Sequence, residues 1–277
     1  MTYGQVFEKA KILGGAIKEL GFAPPISEFE SYTLNLVSVW SKNTPEYFIF
    51  DCACSLFGYT SVPIYDTLGQ EAIEFMMQQT SLTTCFLSTP QIAGIVKLVE
   101  NGQKHNLKNL VIMDDSDLTP AQTESLGQLA SHGIFWHRFS QLLSKYDHLK
   151  NTEIKCDTTI DDIYVISYTS GTTGEPKGAM ISHKNIVAVA QIDRMDQLLK
   201  LDEVPTHISY LPLPHIFERI CLALMMYRQG RIGVFSGDVT KIKEDAAILK
   251  PTIFVTVPRL LNKIYDAMNF GFSQLTG

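Results

Sequence analysis

Long apolar runs are missing from this sequence. Across its 277 residues the longest clean stretch is Ile220 to Tyr227, far short of the roughly 18 apolar side chains that a bilayer-crossing helix needs. Clusters of Lys and Arg are missing too, and the formal net charge is −6, so no basic face is offered to nucleic acid. Cysteine is sparse: five residues, an odd number without zinc-like spacing, which argues against a disulfide framework. Cys52 and Cys54 read as small buried hydrophobes of a reducing compartment. The stretch Met1 to Lys11 is polar and charged, unlike a secretory leader. No internal repeat or low-complexity tract stands out. What remains is a globular composition, 45% hydrophobic and 19% charged, long enough for a large core and near the size at which chains divide into subdomains.

Apolar periodicity then sets the fold class. Val6, Ala10, Leu13, Ile17 and Leu20 recur at helical spacing, with Gly21 placed to end the helix. Asn43 or Thr44 can cap a helix that starts at Pro45 and stops before Gly58. Strands are expected at 34–39, 61–65, 83–87 and 109–113, and helices at 69–79 and 90–100. Strands alternating with helices of about ten residues imply βαβ units and a mostly parallel, doubly wound α/β sheet. The polar stretch 116–131 reads as a surface excursion, and 145–159 as the boundary between a first α/β subdomain (1–150) and a second (151–277). Beyond it, helices are expected at 185–199, 216–228, 240–249 and 258–268, and strands at 207–211, 231–235 and 252–257.

Residues Tyr168 to Gly178 carry the strongest chemical signal. Three glycines, four small hydroxyl side chains and one lysine fall within eleven residues. Glycines let backbone N–H groups turn inward around an anion, hydroxyls add donors, and Lys177 adds a compact positive charge. The spacing is not that of the common phosphate loop. Counting from Gly171, the second glycine falls on Pro176, and Gly178 stands where a hydroxyl is needed. Apolar, β-branched residues flank the loop on both sides, so it joins two strands and no helix starts at Lys177. A kinase or GTPase of the phosphate-loop type is excluded on that spacing. Thr169, Ser170, Gly171, Thr172, Thr173, Gly174 and Lys177 are the candidate nucleotide-binding residues.

A second candidate segment is 212–219. Pro212 and Pro214 forbid a helix around Leu213, which leaves His215 at a strand-to-helix junction, where open α/β sheets bind ligands. His215 is a candidate catalytic residue, set against a plain helix-capping role. Glu218 and Arg219 read as a structural pair, and Arg259 and His183 as structural. The acidic cluster 114–117 reads as a turn with a helix cap in preference to a metal site.

The loop resembles the phosphate-binding signature of the adenylate-forming superfamily. The stretches 43–47, 62–69, 209–219 and 257–265 resemble long-chain fatty acyl-CoA synthetases in particular. That resemblance implies ATP, Mg²⁺ and coenzyme A as cofactor and co-substrates, and a long-chain fatty acid as substrate. It also implies two steps: the carboxylate displaces pyrophosphate from ATP, and the thiol of coenzyme A then displaces AMP. His215 would lie where carboxylate meets nucleotide. These synthetases extend beyond both ends of the matched region, and the acid that binds magnesium is expected past Gly277. The chain is therefore expected to be a partial large N-terminal domain, inactive alone, of a protein on the cytoplasmic side, with peripheral association to the endoplasmic reticulum or another membrane. The alternative is a noncatalytic nucleotide- or partner-binding remnant.

Overall fold

The computed structural model describes residues 1–29, 32–65, 68–102, 104–154, 158–169, 176–191 and 204–275. The first helix, α1 (Tyr3–Glu19), is closed at its start by a Thr2–Gln5 capping box and buries Val6, Ala10, Leu13 and Ile17. Helix α2 (Pro45–Phe57) starts where the sequence places it. The Thr44 side chain accepts from the Tyr47 N–H, Pro45 takes the first position, and Gly58 ends the helix at φ 69°, in the left-handed region.

Among the described residues one sheet has eight strands, in the order β6-β5-β4-β2-β3-β7-β8, with β1 beside β2. These are β1 (Pro25–Phe29), β2 (Tyr32–Trp40), β3 (Thr60–Pro63), β4 (Thr84–Leu87), β5 (Asn109–Ile112), β6 (Phe135–Arg138), β7 (Ile163–Thr169) and β8 (Lys177–Ser182). Strands β2 to β7 pair in parallel, whereas β1 and β8 run antiparallel to their neighbours. The order reverses around β2, which makes the sheet doubly wound, and open sheets of this kind bind ligands beyond the carboxyl ends of their strands at such a point.

Helices cover both faces, so the strands read as continuous apolar runs. Val37, Phe86 and Val111 pack with α1 and α2 on one face. Their chain neighbours Leu36, Leu87 and Ile112 pack on the other face with α3 (Gln70–Gln79) and α4 (Ile92–Glu100). The stretch expected as a surface excursion is largely exposed, but it also carries a helix. Thr119 caps a helix, α5 (Pro120–Gln128), whose Leu126 is fully buried on that second face, and Leu129 follows it in. Two buried leucines in a polar stretch are enough to dock one face of a short helix. Helix α6 (Phe139–Lys145) returns to the α1 side through Phe139 and Leu142.

The polar stretch after α6 holds a 3₁₀ turn, Asp147–Asn151, and the large sheet takes strands from both sides of it, since β7 pairs with β3. After β8 comes α7 (His183–Ala190); the rest of the helix expected to residue 199 lies outside the described residues from 192 on. A separate two-stranded parallel sheet, β9 (Thr206–Ser209) with β10 (Arg231–Val234), is joined through α8 (Ile216–Tyr227). Helices α9 (Ile242–Leu249) and α10 (Pro258–Leu275) follow. The strand expected at 252–257 is a single bridge between His207 and Ile253. The N–H groups of Thr252 and Ile253 both donate to the Thr206 carbonyl, at 2.9 and 3.1 Å, which breaks the alternation a ladder requires.

Candidate active site

Strands β7 and β8 form the expected hairpin. Thr169 faces Lys177 at its mouth, and Gly178 faces Tyr168 one pair further in. Thr169 and Lys177 are exposed there. Ser170, Gly171, Thr172, Thr173 and Gly174 lie outside the described residues. Gly178 has a packing role. A Cβ there would come within 2.8 Å of Ile166 Cγ2 and 3.2 Å of Tyr168 Cζ. Tyr168 is buried, donates to Gln79 Oε1 at 2.6 Å, and has its pKa pushed up to about 12 by burial. The next helix begins at His183, beyond β8, so no helix N-terminus stands at Lys177.

The segment carrying His215 is fastened to this hairpin's base. The Asn43 side chain, at the start of α2, donates to Ser209 Oγ at 2.9 Å and to the Leu211 carbonyl at 2.8 Å, and accepts from the Leu213 N–H at 3.0 Å. One buried amide thereby fixes the backbone that two prolines keep non-helical. Tyr65, just past β3, donates to the Pro214 carbonyl at 2.8 Å, and Ser167 of β7 donates to the same carbonyl at 3.1 Å. The Tyr65 and Ser167 hydroxyl oxygens are themselves 3.0 Å apart. The Tyr65 ring stands edge-on to His215, centroids 4.7 Å apart. The two candidate segments thus converge, two residues from Thr169 on one side and one residue from His215 on the other. His215 occupies the backbone position that caps α8, yet its exposed side chain makes no capping hydrogen bond.

Glu218 and Arg219 are structural but are not partners of one another; that reading is corrected. Glu218 Oε1 lies 3.0 Å from His207 Nε2, and both side chains are fully buried. Arg219 donates to Asp51, which also receives the Tyr164 hydroxyl, and further to Tyr164 Oη at 2.7 Å and Tyr47 Oη at 3.2 Å. Burial pulls the Arg219 pKa down, but Asp51, Tyr164 and Tyr47 outweigh it and hold the value well above the ordinary range. The guanidinium is therefore a fixed charge, paired as a buried charge must be.

An apolar cavity of about 510 Å³ lies beside this cluster, between α1, α2, α7 and α8. Phe48, Leu56, Ile186, Val187, Leu222 and Met226 line it, and Asp51, Tyr164 and Arg219 stand at its polar wall. His183 also borders it, its ring 5.2 Å from Tyr164. Burial lowers the His183 pKa against the opposing pull of Asp162 and Asp51. The acidic cluster behaves as a turn. Asp114 accepts from the Thr89 N–H and hydroxyl at 2.7 and 2.9 Å, and Asp115 accepts from the Ser140 N–H at 2.8 Å. Arg259 is exposed in the first turn of α10.

Sequence reasoning missed Tyr65, Ser167, Asp51 and Tyr164. Tyr65 stands in the 62–69 stretch and Tyr164 and Ser167 in the strand that leads into the loop, but nothing local marks the role of any of the four.

The profile described as AMP-binding enzyme matches residues 1–275, and the chain belongs to that family. Its relatives are long-chain-fatty-acid–CoA ligases. Ligase 5 of Mus musculus is 36% identical over 273 residues, a match covering 96% of this chain and 37% of that protein. Ligase 1 of Homo sapiens is 32% identical over 279 residues, covering all of this chain and 38% of that protein. The chain therefore spans well under half the length of these relatives. The adenylation domain of carboxylic acid reductase from Segniliparus rugosus, solved with AMP and a co-purified carboxylic acid, superimposes with a TM-score of 0.82 at 18% identity, over all of this chain and 44% of that one. The fold is that of the N-terminal domain of adenylate-forming enzymes.

Proposed function

We propose that this chain is the pyrophosphate-gripping and acyl-seating part of an ATP-dependent long-chain fatty acid–CoA ligase. The observation that carries this reading is the shared Pro214 carbonyl, on which Tyr65 and Ser167 converge. It ties the strand that ends at Thr169 to the turn with His215, which supports a single site where a carboxylate could meet a phosphate.

In this reading the acid's carboxylate attacks the α-phosphorus of ATP and pyrophosphate leaves. The loop amides and hydroxyls from Thr169 to Gly174, with Lys177, hold the departing phosphates, acting by position and charge. His215, its imidazole not committed to capping, orients the carboxylate. The acyl chain lies in the cavity beside α8, whose volume is within the range usual for ligand pockets, about 300–1,000 Å³. Coenzyme A then takes the acyl group and AMP departs. Mg²⁺ would supply charge neutralisation at the phosphates. Both Asp114 oxygens and one of Asp115 hold the turn to Thr89 and Ser140, and Mg²⁺ is assigned no residue of this chain.

Peripheral association with the cytoplasmic face of the endoplasmic reticulum or another membrane belongs to the same proposal, since long-chain acids partition into bilayers. Among the described residues no helix is long and apolar enough to cross a membrane.

The test is exchange of labelled pyrophosphate into ATP, using this chain joined to the remaining segments of its relatives. Exchange that depends on a long-chain acid and falls in His215→Ala, with the fold intact by circular dichroism, supports the reading. Absence of acid-dependent exchange overturns it.

A further inference from the structure

We propose that His207, Glu218 and Cys221 form a zinc site that staples α8 to β9. His207 lies on β9, and Glu218 and Cys221 lie three residues apart on α8, one above the other on a single face. One donor atom from each comes within 4.8 Å of the other two. All three residues are buried, His207 and Glu218 completely.

The two residues joined by a hydrogen bond leave atoms unused. His207 Nδ1 and Glu218 Oε2 are buried without a hydrogen-bond partner. Buried polar atoms are seldom left so, and two in one contact call for an explanation. A bound cation accounts for Glu218 Oε2: the carboxylate, one imidazole nitrogen and the Cys221 sulfur make a three-residue donor set. The charges also balance, because a carboxylate and a thiolate together neutralise a divalent ion in a region that would otherwise not tolerate it.

Donor chemistry selects the metal. Nitrogen and sulfur suit zinc, with bonds of about 2.0–2.3 Å. Magnesium and calcium take oxygen ligands, so this site is distinct from any ion carried by a nucleotide. A metal entering the site displaces the Cys221 thiol proton to solvent as the sulfur–metal bond forms. Affinity should accordingly rise with pH.

The staple sits one helical turn past His215, at the base of the helix that His215 begins. It would fix the helix start relative to β9 and the Asn43 clamp. This inference does not depend on the ligase reading, and its readout is spectroscopic.

The experiment uses the chain freed of metal with a chelator and titrated with Co²⁺ as the probe. One cobalt ion per chain is expected, with a thiolate-to-cobalt charge-transfer band that excess Mg²⁺ leaves in place and Zn²⁺ removes. Cys221→Ser should abolish the band, and His207→Gln should weaken binding at least tenfold. Cys221→Ala serves as a second variant should the serine variant misfold, and circular dichroism of the metal-free proteins verifies the fold. Absence of the band in the wild-type chain, or a band that persists in both Cys221 variants, overturns the proposal.

Discussion

Tyr65 and His215, 150 positions apart in sequence, meet edge to face with ring centroids 4.7 Å apart, while the Tyr65 hydroxyl holds the carbonyl immediately before His215. The ring and the hydroxyl therefore do different jobs: the ring sets where the imidazole rests, and the hydroxyl, with Ser167, sets the backbone that carries it. Tyr65→Phe keeps the first and removes the second. It should cost about 0.5–1.5 kcal/mol of stability. Adding Ser167→Ala strips the Pro214 carbonyl of both donors, so the double variant should lose more than the two single losses combined. Urea unfolding of the four proteins measures the coupling; strict additivity would show that the shared carbonyl does not link the two segments.

Lys177 stands exposed at the mouth of the hairpin and, among the described residues, makes no ion pair. Lys177→Ala should therefore leave the melting temperature unchanged, as most exposed substitutions do. In the protein extended by its relatives' remaining segments, loss of one charge-assisted contact of about 1.5–3 kcal/mol should weaken ATP binding about tenfold or more. Calorimetric titration with ATP, beside a thermal melt, checks both halves.

Arg219 and Asp51 make the opposite case. Arg219→Met leaves a buried carboxylate with Tyr164 alone, and should cost about 3–5 kcal/mol. Arg219→Met combined with Asp51→Asn should recover a substantial part of that loss, because the unpaired charge is gone. Chemical unfolding midpoints report the recovery.

Burial lowers the pKa of His105, His137 and His183 below the ordinary value. Between that value, about 6.5, and the lower folded values, the unfolded chain binds more protons than the folded one. Stability should therefore be fully present above about pH 6.5 and decline as pH falls through the window. Guanidinium unfolding at about pH 7.5 and about pH 5.5 should show the decline, and His183→Gln should reduce it. A His183→Gln variant with the same pH dependence as wild type would assign the effect to the other two histidines.

Local chemistry made much of this legible beforehand. Thr44, Pro45 and Gly58 fix α2 through caps and φ preferences that act over a few residues, and the β-branched flanks of the loop gave the β7–β8 hairpin for the same reason. Where a short-range signal was weak, the reading failed. Only Leu126 and Leu129 mark α5 in a polar stretch, and the run after Pro251 has strand composition without a ladder. The partners of Arg219 and Glu218 were invisible for a different reason. Asp51 is 168 positions from Arg219, and His207 meets Glu218 only because α8 folds back on β9. No periodicity records such pairings. Tyr65 lay in a stretch already singled out, but its role required the position of Pro214.

Strand β7 enters the large sheet through β3, pairing Ser61 with Val165 across about a hundred residues, while its partner β8 is a near neighbour. As the chain leaves the ribosome, β2 to β6 can complete their parallel array from contacts between successive βα units, before β7 exists. The hairpin can close on itself quickly but must dock on an array that is already there, a long loop closure that comes late. The β7–β8 hairpin is thus fitted late to an array already built, and a stall during synthesis would leave the edge of β3 bare and open to wrong partners.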